Sequence, residues 1–157
     1  MIATKTRLFD TKKRIAVVIT DCTLNNLALV VRAYKAAFDQ YGELSFCYVC
    51  TDKKKKPEEI SLPQGVQLFH TTHDTNFFGG IKNQELKQSF LQNEHDILLC
   101  SYFEKNKSVN KLINAKKAGL KVGIEKESLP KFGVSFLIKS ENHNEFIDLS
   151  LKYLKLL

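Results

Sequence analysis

Residues 13–38, KRIAVVITDCTLNNLALVVRAYKAAF, decide the fold. Ile15–Ile19 is an unbroken apolar run, mostly β-branched, with charge before it. A strand buried on both faces reads this way, whereas a half-exposed one alternates. Thr20–Asn26 is a short polar loop in which Thr23 or Asn25 can cap the next helix. Leu24, Leu27, Ala28, Val31, Tyr34, Lys35 and Phe38 then recur at helical spacing, and Leu29, Val30 and Ala33 widen the apolar face. Strand, loop and helix make half of a βαβ unit. Gly42 ends the helix or forms the return turn.

The same alternation continues outward. Leu44–Cys50, Val66–Phe69, Ile97–Cys100, Leu120–Ile124 and Val134–Ile138 read as further strands. Helices are expected over residues 83–92, 104–118 with Gly119 as C-cap, and 142–156. Strands alternating with helices call for a doubly wound sheet. The predicted fold is a single α/β domain, residues 13–157, with a mostly parallel sheet in a Rossmann-like three-layer sandwich. Residues 1–12 form a polar arm whose Leu8 and Phe9 dock on the core. The link to the last strand is short and without a clear helix, so a loop crossover and an antiparallel neighbour both stay open.

A chain of 157 residues with 43% hydrophobic content suits one globular domain. No run approaches the ~20 apolar residues of a membrane-spanning helix. The charged start, MIATKTRLFDTKKR, lacks the apolar core of a secretory signal, and a cytoplasmic location is expected. The net charge of +7 permits contact with nucleic acid. Arg7, Arg14 and Arg32 are its few arginines, however, and the lysines are dispersed apart from Lys53–Lys56. This balance looks more like solubility than base readout, which leans on arginine forks. Cys47 and Cys50 form a C-x-x-C inside a strand, where residues three apart face opposite sides. With Cys22 and Cys100 they are expected to be reduced thiols in or beside apolar runs. No second close pair completes a zinc set, and no metal or cofactor is expected.

In open parallel sheets, ligands favour the crevice beyond the carboxyl ends of the strands. Three polar segments fall there. The first contains Thr20, Asp21, Cys22, Thr23, Asn25 and Asn26. The second contains His70, Thr71, Thr72, His73, Asp74 and Asn76. The third contains Ser101, Tyr102 and Glu104. From these, Asp21, Thr23, Asn25, Asn26, His70, His73, Ser101 and Tyr102 are candidate ligand contacts. His73 is a candidate general base with Asp74 as its orienting carboxylate. The first loop lacks the glycines of dinucleotide- and phosphate-binding loops, and Asp21 works against phosphate. Phe77–Gly80 reads as a pinned, tight loop. His95 and Asp96 start a strand away from the crevice, and His143 is expected to cap or pack near its own helix.

Residues 77–101, FFGGIKNQELKQSFLQNEHDILLCS, with KLINAKKAGLKVGI at 111–124 and EFIDLSLKYLKLL at 145–157, resemble a small uncharacterised family of Bacteroidota. The resemblance covers most of the chain beyond Lys12 and implies a bacterial, cytoplasmic protein. A more distant likeness joins the opening strand–loop–helix, and HDILLCS through KAGLKVGI, to the N-terminal Rossmann-like domain of heptosyltransferase-type glycosyltransferases. Those enzymes place a catalytic aspartate at the start of the first helix, after a glycine. Asn26 and Asn25 stand at those two places here, and asparagine is no carboxylate base. The second, sugar-nucleotide-binding domain has no counterpart in these residues.

The leading expectation is a non-catalytic domain that binds a small polar ligand or a protein partner. One alternative is an enzyme acting on a small phosphorylated or glycosyl substrate through His73. The other is RNA or ribonucleoprotein binding through the lysine-rich surface. The wide apolar surface of the last helix also suits a homodimer.

Overall fold

The computed structural model describes residues 6–20, 22–76, 80–126 and 134–157. Six strands form one sheet in the order β3-β2-β1-β4-β5-β6. They are β1 (Lys13–Ile19), β2 (Gly42–Cys50), β3 (Val66–His70), β4 (His95–Ser101), β5 (Ala118–Glu125) and β6 (Phe136–Lys139). Every neighbouring pair is parallel. The undecided last strand therefore runs parallel to β5, with Val122 opposite Phe136. The order is that of a Rossmann-like sandwich, winding outward in both directions from β1 and β4.

The helices are α1 (Leu24–Phe38), α2 (Gln84–Leu86), α3 (Lys107–Ala115) and α4 (His143–Leu154). α1 and α4 pack against each other on one face. Right-handed crossovers assign α2 and α3 to the other. Ile15–Ile19 are completely buried, as a central strand covered on both sides must be. Tyr34 and Phe38 of α1 are fully buried, and Tyr34 packs edge-on against Phe46 of β2. Leu8 and Phe9 lie against this core. Phe9 stacks on Tyr41 at 4.6 Å, and the Leu8 amide donates to the Leu157 carbonyl at 2.8 Å.

Three local expectations change. Gly42 starts β2, paired with Lys13, and so belongs to the sheet. The helix expected over 104–118 is shorter. Asn106 caps it by accepting from Ser108 and Val109 amides at 2.9 and 3.1 Å, and Ala118 and Gly119 have joined β5 opposite the start of β4. The helix expected over 83–92 starts on an Asn83 cap but widens into a π-helical turn at Lys87–Leu91. Phe90 and Leu91 in this turn are both buried. Among the described residues no helix is long and apolar enough to cross a membrane.

Candidate functional site

β1 and β4 are neighbours from which the chain winds out in opposite directions, so their carboxyl ends open a crevice. The Thr20 amide donates to the Ser101 carbonyl at 3.1 Å and carries the pairing one residue past β1. The chain then turns into α1 through Cys22 and the N-cap Thr23. Thr23 is extended (φ −70°, ψ 156°), and its side chain makes no capping bond. The Tyr48 hydroxyl of β2 pins the turn by donating to the Cys22 carbonyl at 2.8 Å.

A residue distant in sequence completes this turn. Asn142 caps α4 by accepting from the Glu145 amide at 2.9 Å, which makes His143 the first helical residue. Because α4 lies against α1, the His143 ring reaches the crevice. Its Nε2 is 3.1 Å from Cys22 Sγ, and its Nδ1 is in close contact with the Ser101 hydroxyl. The Phe103 ring stands edge-on to the imidazole at 5.0 Å. With Nδ1–H donating to Ser101 Oγ, Nε2 is left as the acceptor facing the thiol. Below them lies the Tyr34 hydroxyl, fully buried and without a hydrogen bond of good geometry. Burial holds this phenol far above its ordinary pKa; the neighbouring Ser101 hydroxyl pulls the other way.

Two clefts meet at Cys22. One, of about 260 Å³, runs between the starts of α1 and α4 and is lined by Asn26, Leu29, Val30, Asn142, His143 and Asn144. The other, of about 360 Å³, lies over the ends of β1 and β2, with Thr23, Tyr48, Thr51, Asp52 and Lys55. A third cleft, of about 530 Å³, brings Thr51, Lys53, Thr71, Thr72 and Asn76 together with the start of α3 at Asn106–Ser108. Lysines from the tetrad thus stand at the rim of the crevice.

The second predicted segment is built differently. His70 is completely buried. Its Nδ1 accepts from the Thr72 and His73 amides, both at 3.2 Å, and its Nε2 donates to the Lys55 carbonyl at 2.6 Å. Both ring nitrogens are therefore used to hold two loops together. Asp74 accepts from the His70 amide at 2.6 Å and from the Asn83 side chain at 3.1 Å. His73 is exposed, its ring edge-on to His70 at 4.6 Å. Among the described residues no hydrogen bond joins Asp74 to the His73 ring.

Of the remaining candidates, Thr23, Asn25 and Asn26 are exposed at the start of α1. Ser101 is fully buried and meets the crevice through His143. Tyr102 is buried, which pushes its phenol up to about 12. Asp21 and residues 77–79 lie outside the described residues. Sequence reasoning missed the partnership of Cys22 and His143. Separated by most of the chain, the two leave no local signature; the one available hint was a cysteine just before a helix cap. The other cysteines, Cys47, Cys50 and Cys100, are free and buried. Burial pushes the Cys100 thiol up to about 12, and Cys47 higher still. No group of three or more potential metal ligands occurs among the described residues.

At the opposite, amino-terminal end of the strands, Lys116 is buried beneath Phe90, 5.2 Å from the ring centroid. Its Nζ donates to His95 Nδ1 at 2.7 Å, to the Lys117 carbonyl at 3.1 Å and to the Asn93 carbonyl. Burial, then the charges of Arg14 and Lys121, lower the ammonium pKa to about 8. Burial and the Lys116 charge also lower that of His95.

Compared with known proteins, the chain belongs to the family of unknown function DUF6913, which it matches over residues 3–157. No curated protein and no solved structure matches it.

Proposed function

We propose that this member of a family of unknown function binds a small polar ligand carrying an anionic group. The ligand lies in the crevice over the carboxyl ends of β1, β2 and β4. The observation that carries this reading is the meeting of two clefts at Cys22, one bearing Lys55 and the other lying between two helix starts. Amides of the first turn of α1 favour negative charge, and Thr23 leaves them without a side-chain cap. Asn26 and Thr23 supply neutral hydrogen bonds. Asp21 is adjacent in sequence and bounds how much charge the ligand carries. His70 and Asp74 act as the frame of the rim. A His73 base lacks its orienting carboxylate, since Asp74 is engaged by His70 and Asn83.

The test uses inorganic phosphate and acetate as probes in backbone amide NMR. Saturable shifts are expected at residues 23–27 and 51–55. Replacing Lys53 and Lys55 together by Gln is expected to weaken phosphate binding about five-fold. Absence of saturation, or shifts confined to the groove between β6 and α4, overturns the reading.

A further inference from the structure

Cys22, His143 and Ser101 form a set that ligand binding alone does not use. A thiol and a base lie within hydrogen-bond reach, and a third group orients the base, which is the arrangement of an activated nucleophile. Three observations support that use. The imidazole sits at 3.1 Å on the thiol side and against Ser101 on the other, so with Nδ1–H on Ser101 its Nε2 accepts from the thiol, and once protonated there it donates to the thiolate. Cys22 immediately precedes the cap of a 15-residue helix, where the dipole favours a thiolate. The Tyr34 hydroxyl, wholly buried and without a hydrogen bond of good geometry among the described residues, borders the same set through Ser101 and Cys22. Cys22 alone among the cysteines is partly exposed, and it opens onto both clefts.

We propose that Cys22 is the nucleophile of an acyl-transfer reaction on small activated esters or thioesters. In it His143 is the general base and acid, and Ser101 is a positioning residue. His143 Nε2 takes the thiol proton as the sulfur attacks the acyl carbon. The bond to the leaving oxygen or sulfur breaks, and Nε2–H protonates that group as it departs, leaving an acyl thioester on Cys22. Water then attacks this thioester while Nε2 accepts its proton. The carboxylic acid leaves, and the thiol is restored. No oxidant or further reactant is needed.

This rests on the crevice reading for access but is read out separately. Among the described residues, the titratable groups near the pair are Tyr34 on α1, Tyr48 on β2, Cys100 on β4, and Asp52 and Lys55 lining the cleft shared with Cys22; Asp21 adjoins Cys22 in sequence. Iodoacetamide alkylation of Cys22, followed by peptide mass, reports the thiolate. The wild type is expected to titrate below pH 7. His143→Gln is expected to slow the reaction about ten-fold at pH 6.5, and Ser101→Ala to move the inflection upward by less. With p-nitrophenyl acetate, a burst of one nitrophenolate per chain and an acetyl group on Cys22 are expected, both lost in Cys22→Ser. Thermal melts check folding, and Ser101→Ala carries the same pH readout if His143→Gln does not fold. A Cys22 inflection near 8.5 that His143→Gln leaves in place overturns the proposal, and so does absence of the burst. Phosphate shifts retained in Cys22→Ser assign such a failure to the thiol chemistry alone.

Discussion

Lys116 buries an ammonium whose hydrogen bonds end on two carbonyls and an imidazole, with no carboxylate among them. Its folded pKa of about 8 lies below that of an unfolded lysine, roughly 10.4. Between those values the unfolded chain binds the proton and the folded one does not, so stability rises with pH through that window. His95 is depressed as well. Its contribution is lost as pH falls below about 6.5, where the unfolded imidazole becomes charged first. Urea midpoints at pH 7 and pH 10 check this: the alkaline rise is expected in the wild type and reduced in Lys116→Met. The same residue type thus does different work at different places. Lys53 and Lys55 line clefts, whereas Lys116 is a core group. Nothing in the run NAKKAGL distinguishes Lys116 from exposed Lys117; only the return of the chain into β5 buries the first. His70 and His73 divide in the same way, one locked into two loops and the other left at the surface.

Among the described glycines, Gly42 at the start of β2 has the closest neighbour. A Cβ on Gly42 would stand 2.0 Å from the Lys13 carbonyl oxygen. The backbone there is extended (φ 171°), so the demand for glycine is steric. Gly42→Ala is expected to separate the first β1–β2 pair and cost about 2 kcal/mol, read as a lower urea midpoint with the fold retained. Such close approach is invisible in the sequence, where Gly42 after a helix suggests a C-cap. What the sequence did make legible was the strand set. Ile15–Ile19 and Ile97–Cys100 are continuous apolar runs because they are central, and both lie where expected. Helix lengths were less legible. The π-turn at Lys87–Leu91 has no local signature in the sequence, and α3 ends shortly before Ala118 pairs with His95 across the sheet, a tertiary contact.

For the whole molecule, the strand order predicts a gradient of local stability. Amide exchange is expected to be slowest in β1 and β4, which have neighbours on both sides and buried side chains, and faster in β3 and β6 at the edges. Comparable rates in β6 and β1 would contradict the topology. This scale also explains why half of the candidate site escaped the sequence. The crevice follows from parallel strands, so the loops after β1 and β4 were identifiable as its walls. His143 enters only because α4 returns across the sheet to lie on α1. The order of the strands has a further consequence during synthesis. Ile15 pairs with Ile97 on one side and with Leu44 on the other. While the ribosome is still making the middle of the chain, β1 has only its β2 partner, and its other edge is an unpaired, wholly apolar ribbon. Such edges recruit neighbouring chains. Chains that end before β4 are therefore expected to aggregate more readily than the whole chain, which light scattering checks.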